Sequence, residues 1–185
     1  MEESVRLRTA WAGTRSRGRT STGMDPKLRR IADYLLAHRE RQQIDPLDIA
    51  PGLLPHFFIL EARTPPERGT QDASKTASSE MPLISLHIRL AGTALDAAFG
   101  RSVRGHYLEE FLHGPRSIEV LQGFRNCHAH QQPLWMRQVV RIGNKVPRFV
   151  EGIAVPVVPD LIYGGLILGE TSPQDELIGF NSRPL

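Results

Sequence analysis

Regular spacing of apolar residues begins after residue 23. Leu28, Ile31, Ala32 and Leu35 recur at the i, i+3, i+4, i+7 intervals of one helical face, and Lys27, Arg30, Asp33 and Arg41 occupy the other. Asp25 before Pro26 supplies an N-cap and a first-turn proline, predicting an amphipathic helix from Pro26 to about Gln42. Ile44–Ile49 repeats the Asp-Pro start, and Pro51 and Pro55 confine the next residues to a short turn. His56–Ala62 is apolar and aromatic and reads as a buried strand. Leu83–Leu90 alternates, with Leu86, Ile88 and Leu90 on one face and Ser85, His87 and Arg89 on the other, a half-buried strand.

Short helical pieces are predicted around residues 94–99 and 106–112, punctuated by Gly92, Gly100, Gly105 and Gly114. A longer helix is expected over Pro115–His130, with Ile118, Leu121 and Phe124–Arg125 as its inner stripe. Three strands come next: Leu134–Ile142 with Leu134, Met136, Val140 and Ile142 on one face, then Phe149–Val158, then Leu161–Leu168. Turns at Gly143-Asn144 and Pro159-Asp160 are too short for a crossover, so these neighbours are expected to be antiparallel. Gly164-Gly165 inside the last strand marks a bulge or a close backbone approach. The order predicts an α+β domain over 24–170, an antiparallel sheet with helices on one face. Residues 1–23 read as a disordered basic tail, 63–82 as a loop and 171–185 as a polar C-terminal tail.

Composition changes this picture little. A length of 185 residues, with 40% hydrophobic and 23% charged, fits one globular domain. No apolar run approaches the ~18 residues of a membrane-spanning helix. The N-terminus lacks a signal-peptide apolar core, and the single cysteine, Cys127, suits a reducing compartment; the expectation is a cytoplasmic protein. Five arginines between Arg6 and Arg19 against Glu2 and Glu3 carry the whole net charge of +3. Such an arm offers phosphate neutralisation to a nucleic acid, but five interspersed arginines fall short of a dense basic patch, so a solvated tail is the preferred reading.

Two blocks carry a resemblance. IDPLDIAPGLLPHFFILEA (Ile44–Ala62) and HIRLAGTALDAAFGRSVRGHYLEEF (His87–Phe111) resemble a family of short standalone bacterial PAS-domain proteins, chiefly alphaproteobacterial, with DPLDIP-LLPH and RLAGT…FGR motifs. The resemblance covers roughly residues 24–170. It implies a five-stranded antiparallel sheet with short helices cupped over one face and a cavity between cup and sheet. It further implies a sensory module that is non-catalytic and binds a small ligand or a protein partner. Phe58, Arg89, Phe99, Tyr107, Phe124 and Met136 are the residues expected to meet such a ligand, Arg89 only if its strand face turns to the cup; facing out, the preferred reading, it is a solvated or interface arginine. The leading helix would cover the other face of the sheet or dock on a second subunit, making Leu28, Ile31 and Leu35 the expected homodimer contact. No effector domain accompanies the module, so its output would pass to a separate signalling protein. Gly92, Gly100 and Gly105 are expected where the chain needs the conformational freedom of positive φ.

Other chemistry finds weak footing. Cys127-His128-Ala129-His130 invites a metal, but on a helix these neighbours splay apart, and no second ligand pair completes a zinc site. PAS relatives hold haem through a helix histidine or flavin beside a cysteine. Here neither the placing of His128 nor Asn126-Cys127-His128 makes such a motif, so the cofactor is left open. No nucleophile elbow, P-loop or dinucleotide fingerprint occurs. The rival reading is a small enzyme whose His87, His106 and Glu109 converge in one pocket.

Overall fold

The Asp25 carboxylate accepts the backbone N–H of Lys27 at 2.7 Å and caps helix α1, Pro26–His38. The computed structural model describes residues 23–41, 44–64, 84–112, 115–140, 148–170 and 181–184. The Arg6–Arg19 arm, the 65–82 part of the expected loop and the Gly143-Asn144 turn lie outside these residues; α1 ends at His38, short of the expected Gln42, with 39–41 no longer helical. Two single 3-10 turns come after α1, Pro46–Asp48 and Leu54–His56, the first capped by Asp45, which accepts Leu47 N–H at 2.9 Å.

The remaining elements come in chain order: strands β1 (Phe57–Arg63) and β2 (Ser85–Ala91), helix α2 (Thr93–Phe99), a 3-10 turn (Leu108–Glu110), helix α3 (Pro115–His130), then β3 (Leu134–Val140), β4 (Arg148–Val158), β5 (Leu161–Glu170) and β6 (Asn181–Pro184). They form a sheet of order β2-β1-β5-β4-β3-β6, every neighbouring pair antiparallel. Five of these strands are the expected ones, and the helices between β2 and β3 cup one face, which is the PAS-like α+β arrangement. β6 corrects the reading of 171–185 as only a tail, because its backbone pairs with β3 from Leu134↔Pro184 to Arg137↔Asn181.

Strand alternation sends side chains to two separate cores. Phe58, Leu60, Leu86, Ile88, Met136 and Ile162 face the cup, where Leu95, Val120 and Phe124 meet them. Phe57, Ile59, Trp135, Ile153 and Tyr163 face the other way and pack under Leu28, Ile31 and Leu35 of α1. Each of those three α1 residues is fully buried. This corrects the expected dimer contact: the apolar stripe of α1 is occupied by the chain's own sheet and is not presented to a second subunit.

Gly164 and Gly165 make both packings possible, as close backbone approaches rather than a bulge. A Cβ on Gly164 would strike the Ile153 carbonyl oxygen and the Phe58 ring on the cup side. One on Gly165 would come within 2.7 Å of Ile31 Cδ1 on the α1 side. Gly92 has an ordinary φ of −73°, so its expected left-handed role is corrected; a Cβ there would collide with the Leu54 and Pro55 carbonyls. Gly100 and Gly105 do adopt positive φ, 74° and 85°.

Two phase assignments also change. The β1–β2 register shifts so that Ile59 pairs with Leu90 and Leu60 with Ile88, leaving Arg89 as an extra residue in β2. Beyond that bulge Leu90 turns to the α1 side, away from Leu86 and Ile88. On α3 the buried positions are Ser117, Val120, Phe124 and Cys127, while Ile118 is 69% exposed. No helix among the described residues is long and apolar enough to cross a membrane.

Candidate ligand cavity

Between cup and sheet lies a cavity of about 60 Å³. The sheet supplies Phe58, Leu60, Ile88, Met136, Gln138 and Val150 to its wall, and β5 adds Leu166 and Leu168. The cup supplies Leu95 and Phe99 from α2, Leu108 from the 3-10 turn, and Val120 and Phe124 from α3. Phe124 meets Phe58 edge to face at 5.9 Å between ring centroids, and Phe99 meets Phe111 likewise at 5.1 Å. The first pair fixes the roof to the sheet, and the second ties two parts of the roof together.

Gln138 is the one polar side chain among the described lining residues, and it is 1% exposed. It stands opposite Val150 on β3, and its Oε1 is buried without a hydrogen-bond partner among the described residues. A buried acceptor left unpaired costs on the order of 1–3 kcal/mol, so this amide oxygen is a site of unmet bonding on the one polar side chain of the described lining. Sequence reasoning missed Gln138. The signal was its place in strand phase with Leu134 and Met136, where a polar residue interrupts the core-facing set.

Four of the six expected ligand residues line the cavity: Phe58, Phe99, Phe124 and Met136. Arg89 and Tyr107 do not. Arg89 is the exposed bulge residue of β2, and its charge acts on the α1 side of the sheet. There it partly opposes the burial that raises the Tyr163 hydroxyl above its ordinary value, as does the hydrogen bond to the Ile44 backbone. Tyr107 bridges to His87 at the rim, their rings 5.5 Å apart.

His87, His106 and Glu109, the enzyme candidates, do not converge. His87 Nδ1 sits 3.5 Å from Glu61, and His106 Nδ1 lies 3.0 Å from Glu110. Glu109 instead accepts the Leu86 N–H at 3.2 Å and the Arg125 guanidinium at 3.1 Å, and Arg125 also donates to the Ile84 carbonyl at 3.0 Å. This clasp holds α3 against the start of β2. None of the three candidates lines the cavity. Glu110 is held below the ordinary carboxylate value, first by the Tyr107 backbone N–H and then by His106.

Cys127 is buried in the cup-side core with Sγ 3.8 Å from the Ala154 carbonyl oxygen, and burial pushes its thiol up to about 12. His128, beside it, turns to Asp160, 3.8 Å away. No group of three potential metal ligands occurs among the described residues. Haem and flavin do not fit the cavity either. Its 60 Å³ is under half of the roughly 150 Å³ that accommodates benzene, and no histidine or cysteine is among its described lining residues.

No family model and no curated protein matches the chain. A solved fungal LOV-domain photoreceptor, said to reveal a conserved pathway integrating blue light and oxidative stress, is similar to it. The identity is 16% and the TM-score 0.43, over 75% of this chain and 90% of that one. The PAS-like arrangement rests on the chain's own strand order and cup rather than on this likeness.

Proposed function

We propose that the chain is a PAS-like sensory module that takes a small, mainly apolar molecule between cup and sheet and relays its presence to a separate protein. The observation that carries this reading is how the two cores share strands. On β4, Val150 lines the cavity while its neighbour Glu151 accepts the Asp25 N–H at 2.9 Å, holding the start of α1. On β5, Leu166 lines the cavity while Gly165 lies directly under Ile31. A ligand that shifts β4 or β5 on one face therefore changes the seat of α1 on the other, and such coupling needs two arrangements of one packed element. The outward face of α1, with exposed Lys27, Arg30 and Asp33, is then the surface a partner reads.

Native mass spectrometry of freshly purified protein comes first, followed by amide hydrogen exchange with and without the ligand so found. Altered protection of α1 amides on ligand binding is the expected result. Ligand binding that leaves α1 exchange unchanged would remove the relay, and a cavity that takes up no small molecule would remove the sensor.

A further inference from the structure

The unpaired Gln138 oxygen narrows what the cavity accepts. Resting on the reading of the cavity as a ligand site, we infer that its ligand is a neutral molecule of a few heavy atoms, an apolar body carrying one O–H or N–H that donates to Gln138 Oε1. The wall gives each part of this description. Apart from Gln138, every described lining side chain is a hydrocarbon or a thioether, so a second polar group on the ligand would be desolvated without return. No charged side chain is among the described lining residues, so an ammonium or carboxylate ligand would be buried unpaired. The cavity of about 60 Å³ sets the size, with room for only a few atoms unless side chains move.

Water alone does not meet the need. A buried water holds about two to four polar partners, and Gln138 is the only polar side chain on the described lining. A hydroxyl on an apolar stem gives the buried Gln138 Oε1 the donor it lacks, once the amide turns towards it, and fills the remaining space with carbon. It also relieves the penalty on Oε1, which makes donor recognition a specificity device rather than a mere tolerance.

The test uses the full chain and three probes: xenon, propan-1-ol and propanone. Binding is followed through the methyl resonances of Leu95, Met136 and Val150. Xenon reports the apolar cavity alone, while the alcohol and ketone differ in having or lacking the donor. The expected result is saturable binding of all three, with propan-1-ol about tenfold tighter than propanone. The Gln138→Met protein should keep xenon and lose the alcohol preference; the comparison of probes in the unaltered chain stands even if that variant does not fold. Equal binding of alcohol and ketone, or tighter ketone binding, with xenon still bound would overturn the donor class and leave the ligand site standing. No methyl shift with any probe would overturn the ligand-site reading as well.

Discussion

Trp135 and Glu151 meet on the α1 side of the sheet, where the indole Nε1 donates to Glu151 Oε1 at 3.0 Å. The same oxygen accepts the Asp25 backbone N–H at 2.9 Å, so one buried carboxylate ties β3, β4 and the start of α1 together. Replacing Glu151 by Leu strands both donors. The expected loss is about 2–4 kcal/mol of unfolding free energy, while Glu151→Gln, which keeps an acceptor, should lose only about 1 kcal/mol. Urea unfolding measures the sum, and amide exchange in α1 tests the assignment. If Glu151→Leu loosened the cup and α1 equally, the carboxylate would not be the particular anchor of that helix.

The glycines of β5 predict a graded series. Gly169 has only ordinary contacts, the nearest being Phe149 Cδ1 at 3.6 Å, so Gly169→Ala should be neutral or stabilise by up to about 1 kcal/mol through the unfolded chain. Gly165→Ala presses on Ile31 Cδ1 at 2.7 Å and Leu28 Cδ2 at 3.1 Å, both movable side-chain ends, and should cost about 1–3 kcal/mol. Gly164→Ala meets the Ile153 carbonyl, which cannot step aside, and should cost more than about 3 kcal/mol or prevent folding. Urea midpoints in any other order would show that α1 and Phe58 are not packed tightly over these residues.

Cys127 gives a pH prediction with a definite sign. Burial raises its thiol from 9.0 to about 12, so the folded chain holds the proton more tightly than the unfolded chain. Its contribution to stability is therefore complete below pH 9 and is lost as pH rises towards 12. At pH 8 the native thiol should react with a chromogenic disulfide far more slowly than in guanidinium, because the thiolate is the nucleophile. Comparable rates in the two conditions would place Cys127 outside the core. Cys127→Ala should flatten the alkaline limb of the stability curve.

Much of the fold was legible because its signals are local. The Asp25-Pro26 start and the α1 stripe come from capping and from the 3.6-residue period, and α3 spans the expected Pro115–His130. What failed depended on tertiary choices that leave no local mark. Leu90 keeps perfect alternation with Leu86 and Ile88, and only the extra residue at Arg89 in the ladder sends it to the other side. Ile118 fits an inward stripe of α3 by its apolarity, yet the helix turns Ser117 and Cys127 inwards instead, a phase set by what faces it. β6, Asn181–Pro184, has no β-rich composition; backbone pairing with β3 alone defines it. An apolar stripe such as Leu28–Leu35 says that something covers it, and the covering surface turned out to be the sheet of the same chain. The aromatic half of the cavity was readable as apolar residues in the right elements. Gln138 was not, because polarity in a strand reads as exposure until the face is known.

On the proposed reading the cavity's size filters its ligand, and Phe124 helps to set that size. Its ring forms part of the roof and closes edge-on against Phe58. Phe124→Leu removes ring volume while keeping a branched apolar group, so the expected cost is modest, about 1–2 kcal/mol, against the ~3–5 kcal/mol of truncation to alanine. The vacated space should admit benzene, for which the native cavity of about 60 Å³ is too small. Thermal unfolding with and without benzene measures both effects at once. Benzene should raise the midpoint of Phe124→Leu by mass action and leave the unaltered chain unmoved. If benzene stabilised the unaltered chain to the same degree, the native cavity would have to open on binding, and its size would no longer select the ligand.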